Sequence, residues 1–135
     1  MPFVLDNSVV AGWFLEDQAT PYLDAIAARL EEDRAVVPAL WQLEFAKVLR
    51  TACKRNRIAA AQAQQVIEQI CSLPIEIDPE TPGPAELLAL ALRYDLSSYD
   101  AAYLELALRL QLPIATKDAA LRQAATVAGA GSIES

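Results

Sequence analysis

The chain has 135 residues, 54% of them apolar and 21% charged, with 11 Lys and Arg against 18 Asp and Glu for a net charge of −7. Those proportions support a packed core and exclude a disordered chain. With no histidine and only Cys53 and Cys71, the composition excludes His-based triads, imidazole-assisted nucleases, His-ligated zinc and four-thiolate zinc, and leaves carboxylates, hydroxyls, amides and hard cations.

In chain order, Phe3-Val4-Leu5 reads as a short buried strand ending in Asp6. The start has no basic region and meets an acid at once, so it does not read as a signal peptide. Ser8 can cap a short helix through Leu15. Thr20-Pro21 looks like an N-cap followed by Pro at the first helical position, with Leu23, Ile26, Ala27 and Leu30 at helical spacing. Ala35-Val36-Val37 is a second strand. A long helix is expected from about Leu40 to Lys54, another from Ala59 to Leu73, and a short strand at Ile75-Glu76-Ile77. Asp78-Pro79 and Thr81-Pro82-Gly83-Pro84 form a turn-rich break. Helices follow from Ala85 to Tyr94 and from Ser98 to Gln111, then a strand over Leu112–Thr116. A last helix runs from Asp118 to Ala128 and stops at Gly129, with Ser132-Ile133-Glu134 a possible edge strand. Strands alternating with helices predict an α/β fold with a mainly parallel sheet. One domain over 1–135 is expected, without repeats or linkers. The longest apolar stretches, such as Leu87–Leu92, are far short of the roughly 20 residues that span a bilayer. With two unremarkable cysteines, the expected compartment is the cytoplasm. Cys53 and Cys71 read as small core or near-core residues. Trp13, Phe14 and Tyr22 either pack in the core or line a partner groove.

The charge is unevenly spread. Between Phe45 and Ile67 there is no acid, yet Lys47, Arg50, Lys54, Arg55 and Arg57 fall there, so that window carries +5 and the rest −12. A solvated helix face and a polyanion-binding face both explain it.

Four acids stand out. Asp6 and Asp118 follow strands at the carboxyl ends, where open α/β sheets bind ligands. At about 100° per residue, Trp41, Phe45, Val48 and Ala52 fall roughly 40–100° from Glu44, while Lys47, Arg50 and Lys54 fall on its other side. Glu44 therefore sits on the seam between a core face and a basic face. Asp100 opens a helix that is apolar nearly all round. Each has a plain alternative: Asp118 as an N-cap, Glu44 in a salt bridge to Lys47 or Arg55, Asp100 near a helix dipole beside a Ser97 or Ser98 cap. Jointly, clustered carboxylates repel and raise each other's pKa, and Mg²⁺ or Mn²⁺ relieves that. Asn7, Ser8 and Thr116 flank the acids as hydrogen-bonding partners.

At these residues the sequence resembles the PIN-domain nucleases, and among them the small VapC-type toxins. The resemblance rests on Phe3-Val4-Leu5-Asp6-Asn7-Ser8, Trp41-Gln42-Leu43-Glu44, Leu96-Ser97-Ser98-Tyr99-Asp100-Ala101-Ala102-Tyr103 and Ile114-Ala115-Thr116-Lys117-Asp118, in that order across the chain. It implies a three-layer α/β/α fold with a central sheet of four to five short strands. It implies that Asp6, Glu44, Asp100 and Asp118 hold Mg²⁺ or Mn²⁺, with Asp6 and Asp100 the most direct ligands and the Thr116 hydroxyl near the metal. It further implies RNA cleavage by metal-activated water, leaving a 5′ phosphate and a 3′ hydroxyl, and a toxin neutralised by a cognate antitoxin. Homodimers and toxin–antitoxin hetero-oligomers are usual in that family. Lys47, Arg50, Lys54 and Arg55 would contact RNA phosphates. Three other readings stand beside this one: a housekeeping RNA-processing nuclease without an antitoxin, a phospho-acceptor receiver domain using Asp78, and a binding module in which the acids only cap and bridge.

Overall fold

The computed structural model describes residues 1–15 and 20–134. Its elements are β1 (Phe3–Leu5), α1 (Asn7–Phe14), α2 (Pro21–Arg29), β2 (Ala35–Pro38), α3 (Trp41–Lys54), α4 (Ala60–Cys71), β3 (Ile75–Asp78), α5 (Pro84–Tyr94), α6 (Ser98–Leu110), β4 (Ile114–Ala115) and α7 (Ala119–Ala128). The four strands form one parallel sheet in the order β3-β2-β1-β4.

Side chains alternate across this sheet because a strand has period two. Phe3 and Leu5 of β1, with Ala35 and Val37 of β2, enter one core with Val9, Val10, Leu23, Ile26, Trp41, Phe45 and Leu49. Val4 and Val36 face the other way, into a second core with Tyr103, Leu104, Leu106, Ile114 and Leu121. Helices α1 to α4 thus cover one face and α5 to α7 the other, giving a three-layer α/β/α architecture. Fully burying one such Leu or Phe contributes about 1.5–3 kcal/mol. Trp41 stacks on Phe45 with ring centroids 5.2 Å apart, and Phe14 packs on Phe45 at 5.9 Å.

Local signals explain most boundaries. Thr20 caps α2 by accepting the Leu23 N–H, and Pro21 follows it. Gly129 ends α7 at φ 92°, a left-handed position that glycine takes without strain. Three expectations are corrected. Ser8 does not cap α1: the helix starts two residues earlier than a Ser8 cap would place it, with Asp6 as N-cap, and the Ser8 hydroxyl turns to the Asp6 carboxylate. The strand expected over Leu112–Thr116 is only Ile114–Ala115, because Pro113 has no N–H to pair and the chain leaves the sheet at Thr116. Ser132–Glu134 adds no full strand, only a parallel bridge between Ser132 and Ile114.

The aromatics also resolve. Trp13, Phe14 and Tyr22 pack partly buried against the first core, and Trp13 Nε1 donates to the Leu23 carbonyl at 2.9 Å. Cys53 packs there too, but Cys71 is exposed rather than near-core. No helix among the described residues is long and apolar enough to cross a membrane.

The topology fixes where a ligand can enter. From β1 the chain steps to β2 and β3 on one side, then crosses back to β4 on the other. The carboxyl ends of β1 and β4 therefore border the switch point, where a crevice opens in such sheets.

Candidate active site

Asp6 leaves β1 at that crevice and is 5% exposed. Its amide donates to the Ala115 carbonyl of β4 at 3.0 Å, which ties the two strand ends. Its Oδ2 accepts from the Thr116 hydroxyl at 2.6 Å and the Ser8 hydroxyl at 2.7 Å. Ser8 Oγ in turn accepts the Lys117 N–H, and Thr116 Oγ1 accepts the Asp118 N–H, both at 3.0 Å. One knot of hydroxyls thus fixes Asp6 against the loop that carries Asp118. Burial still pushes the Asp6 carboxyl above the usual range, against the pull of these donors, and the nearby Asp118 charge adds to the rise.

Glu44 sits in the first turn of α3, half-buried, between buried Trp41 and Phe45 and exposed Lys47. The Tyr103 hydroxyl, itself fully buried, donates to Glu44 Oε1 at 2.6 Å. That bond across α3 and α6 replaces the salt bridge to Lys47 or Arg55 that the sequence allowed; Lys47 exerts only a weaker electrostatic pull. Burial raises the Glu44 carboxyl, with the Asp6 charge adding to the effect. Burial, and then the Glu44 carboxylate, hold the Tyr103 hydroxyl protonated well beyond its ordinary range.

Asp100 occupies the first turn of α6, which Ser97 caps by accepting the Asp100 N–H at 3.1 Å. Burial, then the charges of Asp6, Asp118 and Glu44, push its carboxyl up to about 6. Asp118 also caps α7, its Oδ1 accepting from the Ala120 and Leu121 amides at 2.8 and 3.2 Å. Capping and membership of the cluster are therefore both true of this residue.

Of the four acids expected together, Asp100 feels the charges of the other three, Asp6 that of Asp118, and Glu44 that of Asp6. Among the described residues, however, no three acidic or cysteine side chains form a ready-made metal cage. The physical reason is local: Glu44 is turned to Tyr103, Asp118 to the α7 amides, and Asp6 to two hydroxyls. The donor set nonetheless fits a hard divalent ion. Magnesium is usually held by one or two carboxylates, with waters and substrate oxygens completing its shell.

A groove of about 400 Å³ meets this cluster at Glu44 and Asn7. Lys47, Arg55 and Arg57 line it, as do Thr51 and Tyr99. Arg50 and Lys54 are exposed on α3 but are not among its lining residues. The basic window therefore divides into two sides. Asn7 is 8% exposed, and its Oδ1 is buried without a hydrogen-bond partner.

Tyr103, Tyr99 and Arg57 carry parts of this site that the sequence reading did not assign. Tyr103 was legible in principle, since it lies three residues after Asp100 and so on the same helix face.

A PIN domain family profile matches residues 3–127. Ribonuclease VapC1 of Mycobacterium tuberculosis, matched alike in strains CDC 1551 / Oshkosh and ATCC 25618 / H37Rv, is 32% identical over 97 residues, covering 70% of this chain and 71% of that protein. The crystal structure of PAE2754 from Pyrobaculum aerophilum shares the fold, with a TM-score of 0.73 at 21% identity over 98% of this chain and 88% of that one. The chain thus belongs to the PIN-domain family, and within it is similar to the VapC-type ribonucleases.

Proposed function

We propose that the protein is a divalent-metal-dependent endoribonuclease, and that its biological role is that of the toxin in a toxin–antitoxin pair. The observation that carries this reading is the acid cluster itself. Burial raises Asp6, Glu44 and Asp100, and a neighbouring acid adds to each: Asp118 to Asp6, Asp6 to Glu44, and Asp6, Asp118 and Glu44 to Asp100. Among the described residues that act on them, the one positive charge is Lys47, on Glu44. Ionised acids left in that state call for an external cation. Similarity to Ribonuclease VapC1 supports the reaction class.

In this reading Asp6 and Asp100 are the principal ligands of Mg²⁺ or Mn²⁺, with Glu44 and Asp118 closing the site. The cation, when bound, supplies positive charge for the phosphate oxygens and acidifies water. The chain's own groups do the positioning. Ser8 and Thr116 hold the Asp6 carboxylate at a fixed angle, and Tyr103 does the same for Glu44. Asn7 stands at the edge of the cluster, in the wall of the groove. Lys47 and Arg55 contact RNA phosphates in the groove beside Glu44, and Arg50 and Lys54 contact the strand further out. The expected products carry a 5′ phosphate and a 3′ hydroxyl.

Incubating RNA with the protein and Mg²⁺ or Mn²⁺ tests the activity. Cleavage by wild type and none by Asp100→Asn is expected; wild-type-like cleavage by Asp100→Asn would sink the assignment. Growth arrest on expression, relieved by a small protein encoded next to this one, tests the toxin role. A cytoplasmic homodimer that also binds the antitoxin completes the reading. The phospho-acceptor alternative loses ground because its acceptor, Asp78, lies on the edge strand and is held by Arg109 at 3.1 Å.

A further inference from the structure

We propose that the groove beside Glu44 is a subsite for one nucleotide of single-stranded RNA, with the Tyr99 ring as the platform on which its base stacks. The inference rests on the nuclease reading and adds to it the part of the substrate next to the cut. Tyr99 and Asp100 are consecutive on α6, so their side chains diverge by about 100°. Asp100 joins the acid cluster, and Tyr99 lines the groove. Tyr99 is 57% exposed, and no hydrogen bond or ring contact holds its ring among the described residues. An aromatic side chain left open one residue from a cluster of acids is available to a ligand that reaches that cluster.

The rest of the groove suits the same occupant. Its volume of about 400 Å³ lies at the small end of the roughly 300–1,000 Å³ typical of ligand clefts. Leu43 and Val48 add an apolar wall of the kind a base face packs against. Lys47 and Arg55 line the groove and enter no salt bridge among the described residues, so both are open to phosphate. Asn7 contributes the buried, unpartnered Oδ1. An aromatic platform beside cations is how proteins hold unstacked bases, and it tolerates several bases. An uncharged peptide would use the apolar wall but would leave the cations without a matching group.

The test compares wild type, Tyr99→Ala and Tyr99→Phe on one defined RNA. It measures Kd without divalent metal, KM and kcat with Mn²⁺, and the cut sites by mapping 5′ ends. Tyr99→Ala is expected to raise Kd and KM about ten-fold, the loss of one base stack, with a smaller change in kcat. It is also expected to flatten the nucleotide preference at one position beside the cut. Tyr99→Phe keeps the ring and should behave as wild type. If wild type cleaves RNA and Tyr99→Ala matches it in Kd, KM and cut sites, the subsite is wrong and the nuclease reading stands. If Tyr99→Ala leaves RNA binding intact but weakens a protein partner, the groove belongs to that protein and the proposal is overturned. If wild type neither binds nor cleaves RNA, both readings fall together.

Discussion

Along α6 two groups of acids lie within about one and a half turns of each other. Near the far end, Glu105 is 6% exposed and grips Arg109 one turn on, with Nε to Oε2 at 2.9 Å. Arg109 also reaches Asp78 at 3.1 Å and Glu80 at 3.2 Å. These contacts, led by Glu105, raise the Arg109 pKa further, so its charge is permanent. At the near end, Asp100 meets Asp6, Glu44 and Asp118 with no arginine among them, and its carboxyl is pushed up to about 6. The first cluster carries its own cation and ties α6 to the end of β3. The second is left electrostatically incomplete. A buried acid cluster with a built-in guanidinium is structure, whereas one without is a demand for something from outside.

The largest effect expected from breaking this contrast is at Asp100. Asp100→Asn should reduce metal-dependent RNA cleavage on the order of 100- to 1,000-fold, while metal-free thermal unfolding shows the variant no less stable than wild type. A cleavage rate near wild type, or a collapsed fold, would erase the distinction between the clusters. At the other end, Arg109→Ala strands the buried Glu105 charge. It should cost about 2 kcal/mol, less than a fully buried pair because Arg109 is partly solvated. Urea unfolding measures this, and activity per folded molecule should be unchanged. A variant as stable as wild type would mean that the arginine is ornamental.

Tyr103→Phe removes one hydroxyl and leaves the ring in its core position. Glu44 loses its anchor, and the apparent affinity for Mn²⁺ should fall about ten-fold, with a folding cost of only about 1 kcal/mol. Unaltered Mn²⁺ affinity would show that Glu44 is placed by its backbone alone. The smallest effect is on pH dependence. Asp6, Glu44 and Asp100 all have raised carboxyls, so the folded chain takes up protons at a higher pH than the unfolded chain. Without divalent metal, their contribution stabilises as the pH falls from 7 through about 6 and is complete below about 4, the unfolded carboxylate range. The slope of Tm against pH in that window should therefore be flatter in Asp100→Asn than in wild type. Equal slopes would mean that Asp100 does not titrate with the cluster.

Much of the fold was legible because its signals are local. Thr20-Pro21 and Gly129 mark helix ends through capping and left-handed geometry, and the short β-branched runs mark buried strands. The strand ends at β4 were harder, because whether Leu112 and Thr116 pair depends on neighbours that only the folded sheet supplies. Asp6 and Asp118 could be brought together from topology alone, and Glu44 from the helical seam. The partners of those acids were not legible. Tyr103 looked like one more apolar residue of α6, since a buried hydroxyl reveals its role only when α3 is packed against it. Glu105 was hidden for the same reason: its burial depends on Arg109 and on β3 lying alongside. Arg55, about 20° from Glu44 round α3, turns into the groove with Lys47, while Arg50 and Lys54 turn away from it. A count of charges in a window cannot see that division.

The central claim is that the near cluster on α6 waits for a divalent cation. Thermal unfolding at neutral pH with increasing Mn²⁺ tests it most directly, since a ligand that binds only the folded state raises Tm. Wild type should gain stability at millimolar Mn²⁺, and Asp100→Asn should gain little. No shift in wild type, or the same shift in both proteins, would contradict the account.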